Sequence, residues 1–278
     1  MKTKTTEATK AAKPPKTRKP PKTKAPPNTP TQPTTTTPPP NTPTQPTTTT
    51  PPPNQTTVSP INLRKAGRFA ILSKAGVTTV PTSSVTGNLG VSPIAGSAIT
   101  GFNLIYTPGA PSATSAQVSG DVFAADFGAP TPGMLTSAIG DMEGAYAAAQ
   151  AAPNTDAARI NLNGGLLGGL VLTPGVYTFG TNIQITGDVT LSGSSTDVYV
   201  IQTSGAVVQS SGTQVILTGG VQAKNVFWAV AGNVLVDTNA VMRGVLLVNT
   251  DITLNTGATL LGAAYSQTAV NLDQATVT

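Results

Sequence analysis

Five aspartates in the last third of the chain are the side chains best suited to acid–base chemistry: Asp188, Asp197, Asp237, Asp251 and Asp273. Asp237 and Asp251 lie 14 residues apart and, across a corner of a coiled chain, would form a general acid and base. Most of the five instead stand where a short apolar run starts or ends, and aspartate there accepts hydrogen bonds from local backbone N–H groups. We therefore predict no catalytic residues.

Other catalytic and ligand-binding signals are missing from the sequence. The chain has no histidine and no cysteine, which excludes Ser-His-Asp and Cys-His catalysis, disulfides and the usual zinc ligands. The glycine-rich segment 163–169 is not followed by the Gly-Lys-Ser/Thr of a phosphate-binding loop, and the Gly-Gly-x-Gly-x-Asp calcium repeat does not occur. We expect no cofactor, no metal and no enzymatic activity.

Small uncharged polar residues alternate with the apolar residues of the C-terminal runs. With the valines, isoleucines and leucines facing inward, the outward positions include Thr190, Ser192, Gln214, Thr218, Thr253, Asn255 and Thr259. A threonine side chain has restricted χ1 and presents its methyl and hydroxyl groups rigidly. Such a flat array, repeating at about 4.8 Å, can order water into an ice-like lattice but lacks the concave shape of an enzyme cleft.

A repeated strand pattern in residues 181–278 must position these side chains. Its runs alternate apolar and polar residues and close with Gly, Asn or Asp, as half-buried strands do. The equivalent residues Val207, Val234, Ile252 and Val270 are spaced by 27, 18 and 18 residues. About 18 residues suit the three strands of one solenoid turn, and 27 a turn with a loop insertion.

One long helix is predicted over residues 132–151. Thr131 supplies an N-cap and Pro132 a proline at the first helical position, and Pro153 ends the helix. One apolar stripe runs along it: Leu135, Ile139, Met142 and Tyr146. The helix would be about 30 Å long, similar to a stack of six coils, so we expect it to lie along one solenoid face with its stripe buried.

Residues 1–60 differ in composition from the rest of the chain. They carry nine Lys/Arg and one acid, are rich in Pro and Thr, and repeat the 13 residues 28–40 as 41–53. Such a segment buries too little apolar surface to fold, so we predict a disordered spacer. It is either a passive linker or a tether to a polyanionic wall or matrix.

Residues 61–278 suit one folded domain. They carry seven basic and ten acidic residues, a net charge of −3, which argues against nucleic-acid binding. No run approaches the length of a membrane span, and the N-terminus lacks the apolar segment of a secretory signal. The chain nevertheless has the composition of an extracellular stalked domain, and we expect a secreted monomer.

The same residues resemble the ice-binding (antifreeze) protein family of snow moulds, sea-ice diatoms and cold-adapted bacteria. The matching stretches follow one another through residues 61–278: 69–77, 86–94, 98–102, 117–126, 141–146, 172–177, 188–193, 223–232 and 267–273. Among them are Leu172-Thr-Pro-Gly-Val-Tyr177 and Ala223-Lys-Asn-Val-Phe-Trp228.

The resemblance implies a right-handed discontinuous β-solenoid of triangular section with an α-helix packed along one face. It also implies that the N-terminal coil docks onto the far end of the C-terminal coils, and that the ligand is ice. Members bind ice through one solenoid face, some with a Thr-Ala/Gly-x-Thr/Asn motif, which Thr256-Gly-Ala-Thr259 matches.

We predict that one flat face adsorbs to ice, giving thermal hysteresis and inhibiting recrystallisation. The residues predicted on that face are Thr186, Thr190, Ser211, Thr213, Thr238, Thr256 and Thr259. The alternative is a carbohydrate-binding or adhesive surface module. Sugar sites usually rest on exposed aromatics, and Trp228, the single tryptophan, stands in an apolar run.

Overall fold

The structure, a computed structural model, describes residues 58–278. Residues 1–57 of the predicted spacer therefore lie outside the described part of the chain. The described part contains one α-helix, α1 (Thr131–Gln150), and five short 3-10 helices, Ala66–Arg68, Gly96–Ala98, Ala157–Arg159, Leu162–Gly165 and Ala223–Asn225. Its strands are β1 Phe69–Ser73, β2 Gly76–Val80, β3 Ser84–Val85, β4 Asn88–Val91, β5 Ile99–Thr100, β6 Ala113–Ser115, β7 Val118–Ala124, β8 Val171–Leu172, β9 Gly175–Phe179, β10 Ile183–Ile185, β11 Val189–Ser192, β12 Tyr199–Thr203, β13 Val207–Gln209, β14 Val215–Thr218, β15 Val226–Val230, β16 Val234–Val236, β17 Val241–Val248, β18 Ile252–Leu254, β19 Thr259–Ser266, β20 Ala269–Asp273 and β21 Thr276–Val277.

These strands stack into a β-solenoid with three faces. Seven parallel strands, in the order β10-β13-β16-β18-β20-β2-β5, form one face, which we call the open sheet. The helix-covered face is made of β9, β12, β15, the second halves of β17 and β19, β1, β4 and the end of β7. The third face consists of β8, β11 and β14, followed by the first halves of β17 and β19 and by β21 and β3.

The 18-residue spacing in the sequence is one turn of this solenoid. Val207, Val234, Ile252 and Val270 are direct neighbours in successive strands of the open sheet. All four are fully buried and belong to the core that the three faces enclose. The predicted strand alternation and coil stacking are therefore confirmed.

The chain order is broken within the stack. After β19 and β20 come β1 and β2, with Ile71 beside Ala264 and Val77 beside Val270. The N-terminal coil thus continues the C-terminal coils, as the resemblance implied. The buried Tyr265 hydroxyl donates to the carbonyls of Ala66 and Phe69, 3.0 and 2.9 Å away, and ties the two parts together.

The helix α1 lies on the helix-covered face with its apolar stripe buried, as predicted. Leu135, Ile139 and Met142 pack with Phe227, Leu247 and other residues of that face in a second core cluster, and Tyr146 lies at its margin. The predicted N-cap is wrong: α1 begins at Thr131, and the Thr131 hydroxyl donates to the Pro111 carbonyl rather than capping the helix.

Candidate functional site

The open sheet is a ladder of parallel strands in continuous register. None of its six pairings contains a register shift, whereas the β1–β4 and β6–β7 pairings do. Side chains at equivalent positions therefore repeat at one strand spacing, about 4.8 Å. Because successive solenoid turns stack in register, such a sheet can be flatter than an ordinary twisted one.

One outward residue of each strand forms a central column on this sheet. The column is uncharged and reads Gln184, Val208, Leu235, Thr253, Asn271, Thr78 and Thr100. Its members are exposed or half-buried, while the residues that flank them in each strand are buried. Its first half is apolar apart from Gln184, and its second half is made of hydroxyl and amide groups.

Hydrogen bonds link the second half of the column from strand to strand. The Thr78 hydroxyl donates to Asn271 Oδ1 at 2.9 Å, Asn271 Nδ2 donates to Thr253 Oγ1 at 3.4 Å, and the Thr253 hydroxyl reaches Asp251 Oδ2 at 3.5 Å. The depression at these residues has a volume of about 230 Å³, below the roughly 300 Å³ of ordinary small-molecule pockets. This part of the molecule is a surface rather than a cleft.

The corner between the open sheet and the third face carries a row of polar side chains organised by two aspartates. Ser211 Oγ donates to Asp237 Oδ2 at 2.8 Å, and Asn255 Nδ2 donates to Asp237 Oδ1 at 2.9 Å. In the adjacent turns, Thr256 Oγ1 donates to Asp273 Oδ2 at 2.6 Å. Both aspartates thus accept hydrogen bonds at the corner, the structural role that the sequence favoured.

The hydrogen bonds at Asp237 also fix its charge. The Asn255 amide, the Thr238 backbone N–H and the Ser211 hydroxyl stabilise the carboxylate and lower the pKa of Asp237 from 3.8 to about 2. A general acid must be protonated near the working pH, and this group is ionised there. Asp237 is therefore unsuited to donating a proton in catalysis.

The seven residues predicted to bind ice do not share one face. Four of them lie at the corner that borders the open sheet: Thr186, Ser211 and Thr256, which are exposed, and Thr238, which is half-buried. Thr190 and Thr259 belong to β11 and β19 on the third face. Alternation along a strand predicts whether a residue points outward, but it does not tell which face receives the residue.

Thr213 corrects the prediction further. It is 8 % exposed, and its hydroxyl donates to the Ser210 carbonyl at 2.7 Å inside the corner. The expectation that Thr213 points outward is therefore wrong. Thr213 precedes the exposed Gln214 and the buried Val215, so the alternation of this run itself assigns Thr213 to the inward side.

The other two faces are poor continuous surfaces. The helix α1 covers one of them. On the third face, the sheet of β8, β11 and β14 meets the larger sheet only at an isolated bridge between Gln214 and Val241. Arg243 adds a charge there, and its guanidinium donates to the Val215 carbonyl. The open sheet is the long, uncovered and regular surface among residues 58–278.

The aromatic side chains do not form a sugar platform. Trp228 is fully buried, and its indole N–H donates to the Arg243 carbonyl at 3.0 Å. Tyr106 stacks on Phe127 with ring centroids 4.1 Å apart. Within residues 58–278, no aromatic side chain is fully exposed. In the same range, no helix has the length and apolar character of a membrane span.

None of the seven residues of the central column was among the predicted ice-binding residues, and only Thr253 was expected to point outward. Thr78 and Thr100 come from the N-terminal coil, which joins the open sheet only through the break in chain order. Asn271 occupies the outward position of a run that the sequence did identify, Ala269-Val-Asn-Leu-Asp273. A uniform count of outward polar residues at the 18-residue spacing, including Asn271 after Thr253, would have found it.

These features define a class: a discontinuous β-solenoid with one helix-covered face and one exposed, regular, weakly polar sheet. A sequence model of the ice-binding-like family matches residues 71–278. The chain is 45 % identical over 219 residues to an ice-binding protein of Flammulina populicola, covering 79 % of this chain and 88 % of that protein. It is 40 % identical over 227 residues to an ice-binding protein of Flavobacterium frigoris (strain PS1), covering 80 % and 77 %.

A solved structure of similar fold is that of an ice-binding protein from an Arctic yeast, described with its antifreeze activity. It has a TM-score of 0.76 and 38 % sequence identity, over 78 % of this chain and 93 % of that chain. The protein belongs to the ice-binding-like family.

Proposed function

We propose that the chain binds ice crystals through the open sheet, giving thermal hysteresis and inhibiting recrystallisation. The observation that carries this assignment is the seven-strand ladder in continuous register, with an uncharged central column that no other element of residues 58–278 covers. A crystal surface is flat and periodic, so a flat and periodic protein surface can meet it at many points at once. Each contact is weak, and the regular spacing lets the contacts add.

Adsorption would slow ice growth by changing the shape of the growing ice front. Bound molecules hold the crystal surface at separate points, so ice between them grows as a curved front, and curvature lowers the local freezing temperature. The protein needs no bond-forming step for this, which agrees with the ionised Asp237 and with the structural roles of the corner aspartates. We infer that the chain is not an enzyme.

The proposed site includes the corner as its margin. Thr186, Ser211, Thr238 and Thr256 stay in the proposal because they border the open sheet, although the last three turn polar atoms toward Asp237 or Asp273. Thr190, Thr213 and Thr259 leave it, because two lie on the third face and one is buried. The core of the site is the central column.

The basic N-terminal segment would serve as a tether to a polyanionic wall or matrix outside the cell. Nine Lys/Arg lie within residues 1–24. The described chain begins at Val58, which packs with Ile61 beside Ala152 at the end of α1, so it enters on the helix-covered face rather than on the open sheet. We expect a monomer, because one open sheet suffices for adsorption.

Freezing measurements on the whole chain test the function. We expect a gap between melting and freezing temperatures in a nanolitre osmometer, faceted crystals, and slow recrystallisation in a frozen sucrose film. The absence of both the gap and the faceting would contradict the proposal. Binding to a glycan array without any effect on ice would favour the carbohydrate-binding alternative.

The tether has its own test. We expect the whole chain to cosediment with an insoluble polyanionic polysaccharide, and salt to release it because the attraction is screened. Deletion of residues 1–57 should abolish this binding and leave the freezing gap in place. Equal cosedimentation by the deleted chain would contradict the role of the basic segment.

A further inference from the structure

The side chains in the second half of the central column form a series of hydrogen bonds, and the donor-to-acceptor direction of that series is fixed at one end. A carboxylate only accepts hydrogen bonds, so the single hydroxyl proton of Thr253 points to Asp251 Oδ2, 3.5 Å away. Thr253 Oγ1 must then accept from its neighbour, which places the Asn271 amide nitrogen on the Thr253 side at 3.4 Å. The Asn271 carbonyl is left to accept from Thr78 at 2.9 Å.

This direction determines what the surface offers to water. The protons of Thr78 and Thr253 are both used within the protein, so their hydroxyls present lone pairs to solvent. Asn271 keeps one amide N–H that bonds neither of them. Along three adjacent strands the surface therefore presents an acceptor, a donor and an acceptor, spaced by about 4.8 Å.

We propose that Asn271 is the positioning residue of the ice-binding surface, which rests on the function proposed above. By accepting from one threonine and donating to the next, its amide holds both hydroxyls in one orientation before ice arrives. Preorganised groups lose less entropy on binding than groups that still rotate. Asn271 also joins the two parts of the chain, since Thr78 belongs to the N-terminal coil and Thr253 to a C-terminal one.

Matched substitutions on and off the central column test this role. Asn271→Leu keeps the approximate size of the side chain and removes both hydrogen bonds. Gln214→Leu makes the same polar-to-apolar change at an exposed position on the third face, outside the proposed site. We expect Asn271→Leu to lose most of the thermal hysteresis at unchanged melting temperature of the protein, and Gln214→Leu to keep most of it.

Two further variants separate orientation from stability. Asp251→Asn keeps the shape of the side chain at the end of the hydrogen-bonded series but adds an N–H donor there. The direction of the hydrogen bonds is then no longer fixed. Thr78→Val removes the first donor at an exposed position and leaves the core untouched. Each of these two variants should reduce thermal hysteresis several-fold with little change in thermal unfolding. They test the role of Asn271 even where Asn271→Leu fails to fold.

The outcomes distinguish this inference from the assignment of the face. Thr253→Tyr blocks the open sheet sterically, and full activity of that variant would overturn the face and the positioning role together. Loss of activity in Thr253→Tyr, with Asn271→Leu, Asp251→Asn and Thr78→Val all as active as Gln214→Leu, would overturn the positioning role alone.

Discussion

Asp237 shows how one side chain shapes the margin of the open sheet. Its carboxylate accepts from Ser211, from the Thr238 backbone and from Asn255, which belong to three successive turns. A corner made of hydroxyl, amide and carboxylate groups is strongly hydrated. The weakly polar central column therefore has a more polar margin on this side of the proposed site.

The lowered pKa of Asp237 predicts a pH dependence of stability. Because folding lowers this pKa from 3.8 to about 2, the carboxylate stabilises the fold above about pH 4, and that contribution disappears as the pH falls to about 2. Wild type should unfold at a higher temperature than Asp237→Asn at pH 5, and the difference should shrink toward pH 2. Thermal unfolding of both proteins across this range checks it, and a difference independent of pH would contradict it.

Residue-level prediction succeeded for burial within the strands, failed for the buried Thr213, and failed for the choice of face. Ile252 and Leu254 are inward and Thr253 outward, as the alternation indicates. Gln209 follows the same alternation, because it ends β13 and is fully buried, although it is polar; its amide donates to the carbonyls of Thr213 and Val241. The corners between the open sheet and the third face contain between two and five residues, so the next strand starts on a new face that the alternation does not identify.

At the scale of elements, α1 contains glycines that its packing does not require. Gly140 and Gly144 lie on the exposed side of the helix, and a Cβ atom added at either would meet no atom within 4 Å. Glycine in a helix interior costs about 0.5–1 kcal/mol relative to alanine, because the unfolded chain has more freedom to lose.

Gly140→Ala and Gly144→Ala should therefore each raise the free energy of unfolding by about 0.4–1 kcal/mol. Thermal hysteresis should not change, because α1 lies on a different face from the open sheet. Denaturant unfolding measures the first quantity and nanolitre osmometry the second. A loss of hysteresis in these stabilised variants would place ice contacts on the helix side and contradict the assignment of the face.

The docking of the N-terminal coil depends on Tyr265. Its hydroxyl is buried, burial raises its pKa, and it donates to carbonyls that precede and open β1. Tyr265→Phe should lower the free energy of unfolding by about 0.5–1.5 kcal/mol, the net contribution of one hydrogen bond. Guanidinium unfolding of the two proteins measures it, and equal stability would show that packing alone holds the coil.

Helices and strands that bury only one side were predictable from the sequence. Strands that are buried on both sides were less predictable. The α1 stripe and the half-buried strands of the open sheet have clear periodicity in the sequence. In β12 and β15 every residue is buried, because the core lies on one side and α1 on the other. Such strands show no alternation, so the helix-covered face had little periodic signal of its own.

At the scale of the whole molecule, the three faces have different roles. The helix-covered face buries the second core cluster, the third face is interrupted and charged, and the open sheet is regular and not covered by any other part of residues 58–278. The break in chain order extends the open sheet by β2 and β5 and so adds Thr78 and Thr100 to its column. The resemblance implied this break, whereas the 18-residue spacing covers only C-terminal coils.

The most direct test of the ice-binding face compares thermal hysteresis in two tyrosine variants with intact folds. Thr253 lies in the middle strand of the open sheet, and Thr259, also half-buried and outward, lies on the third face. Thr253→Tyr should lose most of the gap between melting and freezing temperatures, and Thr259→Tyr should retain it. Full hysteresis in Thr253→Tyr together with its loss in Thr259→Tyr would contradict the open sheet as the ice-binding face.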